Sequence, residues 1–242
     1  DVRPNNTAEP DVSIRRMSDE EIALINQEMR LQAGVRSKTD AADAAADLRG
    51  LAARFPQSSA AQRWLAEAEY DAGNFTASEQ AAARALELDP ANIDALLYRA
   101  MAAIELAETD PAYLRAARQY LSSAAELDDA DPRSMILYYQ THYDETDGQP
   151  PEHAIIALEQ ALDMAGSDDS YRMMLGRQLL IEERFADART VLLPALYTGH
   201  SFEPQDDDTP TPQAVLNAIA ASDRATALDL INRMLEPEDE EG

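Results

Sequence analysis

The stretch SAAQRWLAEAEYDAGNFTASEQAAARALELDP, residues 59–90, decides the fold. Its apolar spacing predicts two helices of about 13 residues on either side of the short turn AGN. Leu65, Ala66 and Glu69 lie around one turn of the first helix, and Ala81, Ala82 and Ala85 share a face of the second. Gly73 supplies the permissive backbone that a tight helix reversal needs. Ala66 and Ala85 are small enough to let the two helices cross closely. Pro90 stops the second helix, and Asn92 is placed to cap the next one.

This segment resembles a tetratricopeptide repeat (TPR), a helix–turn–helix unit of about 34 residues. Leu65, Ala66, Tyr70, Gly73, Phe75, Ala85, Leu86 and Pro90 follow the pattern, with Ser78 where Ala is usual. Gln62 stands at a position usually held by a large aromatic, with Trp64 two residues on. Glu69 stands where an aromatic is common.

The pattern recurs along the chain. The second unit starts near Ile93, with Ala100 repeating Ala66 and with Ala117, Leu121 and Ala124 in its second helix. The third runs from about Met135, and its second helix carries Ala154, Leu158 and Ala161. The fourth runs from Asp169 to Leu196, with Leu175, Gly176, Leu179, Phe185, Ala188, Leu192 and Ala195 in place. The turns around AETDPAYLR and DETDGQPP are longer than the pattern. The resulting units are 59–92, 93–131, 132–166 and 167–199.

The flanks are read locally. Residues 1–17 form a flexible N-terminal arm with Pro4 and Pro10. Residues 18–58 form a helical pair or a degenerate repeat, opened by a capping box at Ser18 and Glu21. Residues 200–212 form an acidic loop containing Asp206, Asp207 and Asp208. Residues 213–235 form a capping helix pair that seals the array. Residues 236–242, EPEDEEG, form an acidic disordered tail. The expected fold is all-α, a right-handed superhelical array of antiparallel helix pairs, a TPR-like α-solenoid with no sheet.

Composition agrees with helices. Of 242 residues 45 are Ala, which favours helix over strand, and mean hydropathy is -0.43. Forty-six acids against 20 Lys and Arg give a formal charge of -26. That field repels phosphate backbones and anionic lipid, so nucleic acid is a poor partner. A protein or peptide that is not strongly acidic fits better. The chain has no Cys, so thiolate catalysis and thiolate metal sites are excluded. No stretch approaches the roughly 20 apolar residues of a membrane span. The bacterial cytoplasm and periplasm both fit, since a signal or anchor could have been removed.

The resemblance implies that first helices line a concave groove. Its pattern assigns to that groove Ala60, Arg63, Glu67, Tyr70 and Asp71; Asp94, Leu97, Met101, Ile104 and Glu105; and Ser170, Met173, Arg177, Leu180 and Ile181. The third unit has no small residue near Thr141 or His142 to anchor its register. Tyr138, Tyr139 and Tyr143 are candidates there, either in the groove, with Tyr139 the first choice, or in packing. Arg63 and Arg177 pair either with a partner's carboxylate or with the chain's own acids. The cluster of Lys, Arg and Asn that would clamp a terminal carboxylate is missing.

No catalytic, cofactor or metal residues are assigned. His142, His153 and His200 stand in no dense metal motif, and no Gly-rich phosphate loop occurs. The expected function is a non-catalytic scaffold or assembly adaptor that holds a polypeptide segment in its groove. The alternatives are an accessory segment of a larger enzyme or of a membrane-anchored envelope or secretion factor, and a self-contained enzyme on a helical array. Open array ends and an Ala-rich flank leave homodimerisation open.

Overall fold

The computed structural model describes Ser18, Ile22 and residues 38–146, 148–198 and 210–235. The expected arm, the opening part of the expected 18–58 pair apart from Ser18 and Ile22, most of the acidic loop and the acidic tail lie outside the described residues. Eleven helices run in order among those described: α1 Lys38–Arg54, α2 Ser59–Asp71, α3 Phe75–Leu88, α4 Ile93–Leu106, α5 Ala112–Leu127, α6 Pro132–Glu145, α7 Glu152–Met164, α8 Asp169–Ile181, α9 Phe185–Thr198, α10 Pro212–Ala220 and α11 Arg224–Leu235. No strand occurs among the described residues.

Local chemistry sets the boundaries. Ser58, Asn92, Asp131, Asp168 and Thr211 each accept a backbone N–H at a helix start. Gly73 adopts φ 76° in the α2–α3 turn, and its N–H donates to Tyr70 O. Glu183 and Ser222 take the same left-handed conformation in the α8–α9 and α10–α11 turns, at φ 60° and 54°.

The helices pair antiparallel, α2 with α3, α4 with α5, α6 with α7 and α8 with α9, and consecutive pairs stack into a solenoid. Small residues sit at the crossings. Ala66, Ala85, Ala100, Ala124, Ala161 and Ala195 are all buried. At Gly176 the approach is closest, because a Cβ there would overlap the Leu192 side chain. Ser78 replaces the usual Ala and satisfies its hydroxyl by donating to Ala66 O at 2.8 Å. Asn92 caps α4 and also donates to Ser59 Oγ at 3.0 Å, which ties the second pair to the first.

The last pair departs from this stacking. α10 rests on α9, but α11 turns onto α8, the first helix of the preceding pair. Ala227 and Ile231 of α11 are fully buried in the same apolar cluster as Leu180 and Leu179 of α8.

Candidate functional site

The first helices α2, α4, α6 and α8 form one wall of the solenoid. A cavity of about 320 Å³ opens on it, lined by Tyr70, Met101, Ile104, Glu105, Leu137, Gln140, Tyr143, Asp144, Met174, Arg177 and Leu235. Apart from Leu235, which comes from α11, these residues follow a single register. Take Ala66, Ala100, Tyr139 and Gly176 as the buried anchor of each first helix. One position after an anchor come Met101, Gln140 and Arg177. Four after come Tyr70, Ile104 and Tyr143, and five after come Glu105 and Asp144. Two before come Leu137 and Met174. Equivalent positions on successive helices therefore converge on one space, as repetition with a small rotation requires.

Of the groove residues expected from sequence, the cavity gathers Tyr70, Met101, Ile104 and Arg177, with Glu105 and Tyr143 from the wider set. Four expectations are corrected. Leu97, at 3% exposure, is buried in one cluster with Leu121 and Ala117 of α5, against which Leu137 of the next unit packs. Met173 is buried in the core that spans α6 to α11. Leu180 stands four positions after its anchor, where a groove residue belongs, but α11 covers α8 there. Tyr139 occupies the anchor position itself and is fully buried, its hydroxyl donating to Gln178 Oε1 at 3.0 Å. A large anchor in place of Ala or Gly explains why no small residue marked the third unit. Ile181 is half-buried at the end of α8 and does not reach the cavity.

Gln140 and Asp144 were missed in the sequence because that anchor was not recognised, and Leu137 and Met174 because they stand two positions before their anchors, which the repeat pattern does not assign to the groove. Leu235 was missed for a different reason, since it arrives only through the return of α11.

Arg63 and Glu67 lie further toward the start of the wall. They pair with each other at 2.8 Å, and the Arg63 guanidinium covers the Trp64 ring at 4.2 Å. Internal pairing is therefore the outcome for Arg63. Burial holds the Glu67 carboxyl above its usual range, against the pull of Arg63. Burial raises Asp71 in the same way. The Tyr70 hydroxyl donates to Glu105 Oε1 at 3.1 Å, and its ring lies 5.4 Å from Phe75. Burial and the Glu105 charge push its ionisation upward.

At the other end, the Arg177 guanidinium lies 4.0 Å from the centre of the Tyr143 ring. Burial pushes the Tyr139 phenol up to about 12, while nearby Arg177 opposes that shift. Among the described residues no three His, Asp or Glu converge to hold a metal, and no helix is long and apolar enough to cross a membrane. His142 and His153 do meet, with ring centres 5.0 Å apart, but on the α6–α7 side beside Tyr138.

The solved structures similar to this chain share its architecture. A thermophilic TPR protein of Thermus thermophilus is 17% identical, with TM-score 0.59 over 84% of this chain and 99% of its own. PilF of Pseudomonas aeruginosa is 19% identical, with TM-score 0.65 over 91% of this chain and 93% of its own. MamA from residue 41 onward, of Desulfovibrio magneticus, is 16% identical, with TM-score 0.60 over 78% and 99%. No family model matches the chain, and no curated protein matches it in sequence. The fold is that of a TPR-like solenoid of antiparallel helix pairs.

Proposed function

We propose that this chain is a non-catalytic protein-interaction scaffold that holds a polypeptide segment against its first-helix wall. The observation that carries this reading is the convergence of equivalent positions from α2, α4, α6 and α8 on one cavity with a mixed apolar and polar lining. Met101, Met174, Ile104 and Leu137 supply adaptable apolar surface, the kind that anchors a partner's side chain. Gln140, Glu105 and Arg177 supply polar groups that orient it. The net charge of -26 favours a partner that is not strongly acidic overall.

The test is affinity capture from native cell extract at physiological salt, with the Met101→Glu/Met174→Glu double variant beside the wild type. Both are checked for an intact helical fold by circular dichroism. A specific partner retained by the wild type and lost by the double variant supports the groove. Equal retention by both moves the binding surface elsewhere on the array.

A further inference from the structure

Arg177 is the only buried base among the described residues, at 8% exposure. Its Nε is buried without a hydrogen-bond partner, and no ion pair among the described residues includes it. The buried guanidinium is held by the Tyr143 face and the nearby Tyr139 phenol. A desolvated cation with an idle N–H is costly unless an anion completes it. The chain carries 46 acids, yet none among the described residues pairs with this base. Arg177 also lines the cavity, next to Met174 and across from Met101, Ile104 and Leu137.

We infer that the cavity binds a partner segment that presents a side-chain carboxylate beside an aliphatic side chain. The carboxylate pairs with the part of the Arg177 guanidinium that lines the cavity, and the aliphatic group fills the space among Met101, Ile104, Leu137 and Met174. The inference rests on the groove reading above and adds the chemistry of the occupant. The volume of about 320 Å³ admits one large side chain with its acidic neighbour, not a whole helix. Glu105 and Asp144 on the same wall, together with the overall charge, make the rest of the segment neutral or basic. A charge-assisted hydrogen bond in such a site contributes about tenfold or more in affinity.

The experiment selects peptides from a random phage-displayed library on the full chain, then measures selected peptides by fluorescence anisotropy. The expected peptides carry Asp or Glu next to Leu, Ile or Met, and Met101→Glu abolishes their binding. Changing that acid to its amide weakens binding about tenfold. Arg177→Met does the same while its melting temperature stays within the range of the wild type. Combining the two changes produces little further loss. If Arg177→Met unfolds the chain, Arg177→Lys, which keeps the charge and loses the planar guanidinium donors, takes its place in the same cycle.

Peptides that compete at Met101 but carry no acid, or whose amide form binds equally, overturn the inference and leave the groove reading standing. Failure to select any peptide sensitive to Met101→Glu overturns both. Acid-bearing peptides that bind only after residues 236–242 are removed assign Arg177 to the chain's own acidic segment and overturn a partner as the occupant.

Discussion

Arg49 of α1 reaches across to the buried carboxylate of Glu69 in α2 and donates two hydrogen bonds, at 2.5 and 2.6 Å. Glu69 is 2% exposed and also accepts from Asn74 Nδ2 at 2.9 Å. An acid at a position where the repeat pattern commonly has an aromatic is thus satisfied by the preceding helix and the following turn. The pair fastens α1 to the solenoid. Removing Arg49 strands a buried charge, whereas removing both partners does not. Arg49→Met is expected to lower the melting temperature clearly more than Arg84→Met, whose partner Glu87 is exposed. Arg49→Met/Glu69→Met is expected to recover much of the loss. Thermal melts of these three variants and of Glu69→Met check this, and a double variant whose loss equals the sum of the two single losses rejects it.

Gly176 and Gly50 are expected to respond to alanine with opposite signs. A Cβ at Gly176 collides with the Leu192 side chain, so Gly176→Ala forces α8 and α9 apart and costs about 1–3 kcal/mol. At Gly50 nothing stands within 4 Å, and helix propensity alone makes Gly50→Ala stabilising by about 0.5–1 kcal/mol. Urea unfolding of both variants measures the difference.

Ser222 holds a left-handed backbone, φ 54°, with its N–H donating to Ile219 O. Its exposed side chain gains nothing from that conformation. Ser222→Gly is expected to stabilise the chain by about 1 kcal/mol, because glycine adopts this region without the Cβ penalty. An unchanged or lower denaturation midpoint contradicts it.

His142 gives the chain a pH dependence near neutrality. Its Nε2 is buried without a partner, with Arg118, His153 and Glu145 around it. Burial first, then the neighbouring Arg118 and His153, hold its pKa below the ordinary 6.5, against the pull of Glu145. The unfolded chain therefore takes up this proton before the folded one. Stability from this residue is present above pH 6.5, falls as pH drops below it, and levels once the folded state is protonated. His142→Gln is expected to flatten the melting temperature between about pH 7 and pH 5 relative to the wild type.

The helix pairs were legible because their signals are local. Ala66 with Gly73, Ala85 and Pro90 mark a crossing, a turn and a stop within one repeat, and the helices α2 and α3 form between those marks. The site was legible only where this spacing held. Met101 and Ile104 reach the cavity at the positions the pattern gives them because Ala100 is a small anchor. In α6 the anchor is Tyr139, which looks like a groove aromatic in sequence. A register error of one residue turns a helix by about 100° and exchanges wall for core.

The order of the residues determines which segments become helices, where they reverse, and that their small faces must pack on neighbours. Tertiary structure decided which neighbour covers which face. The return of α11 onto α8 buries Leu180 and brings Leu235 to the cavity, and the stacking of α6 on α4 leaves Leu97 inside. It also decided that Arg49 finds Glu69 on the next helix while Arg177 finds only aromatic groups. Periodicity reports a side chain's angle around its own helix, but burial and charge pairing depend on which distant helix arrives opposite.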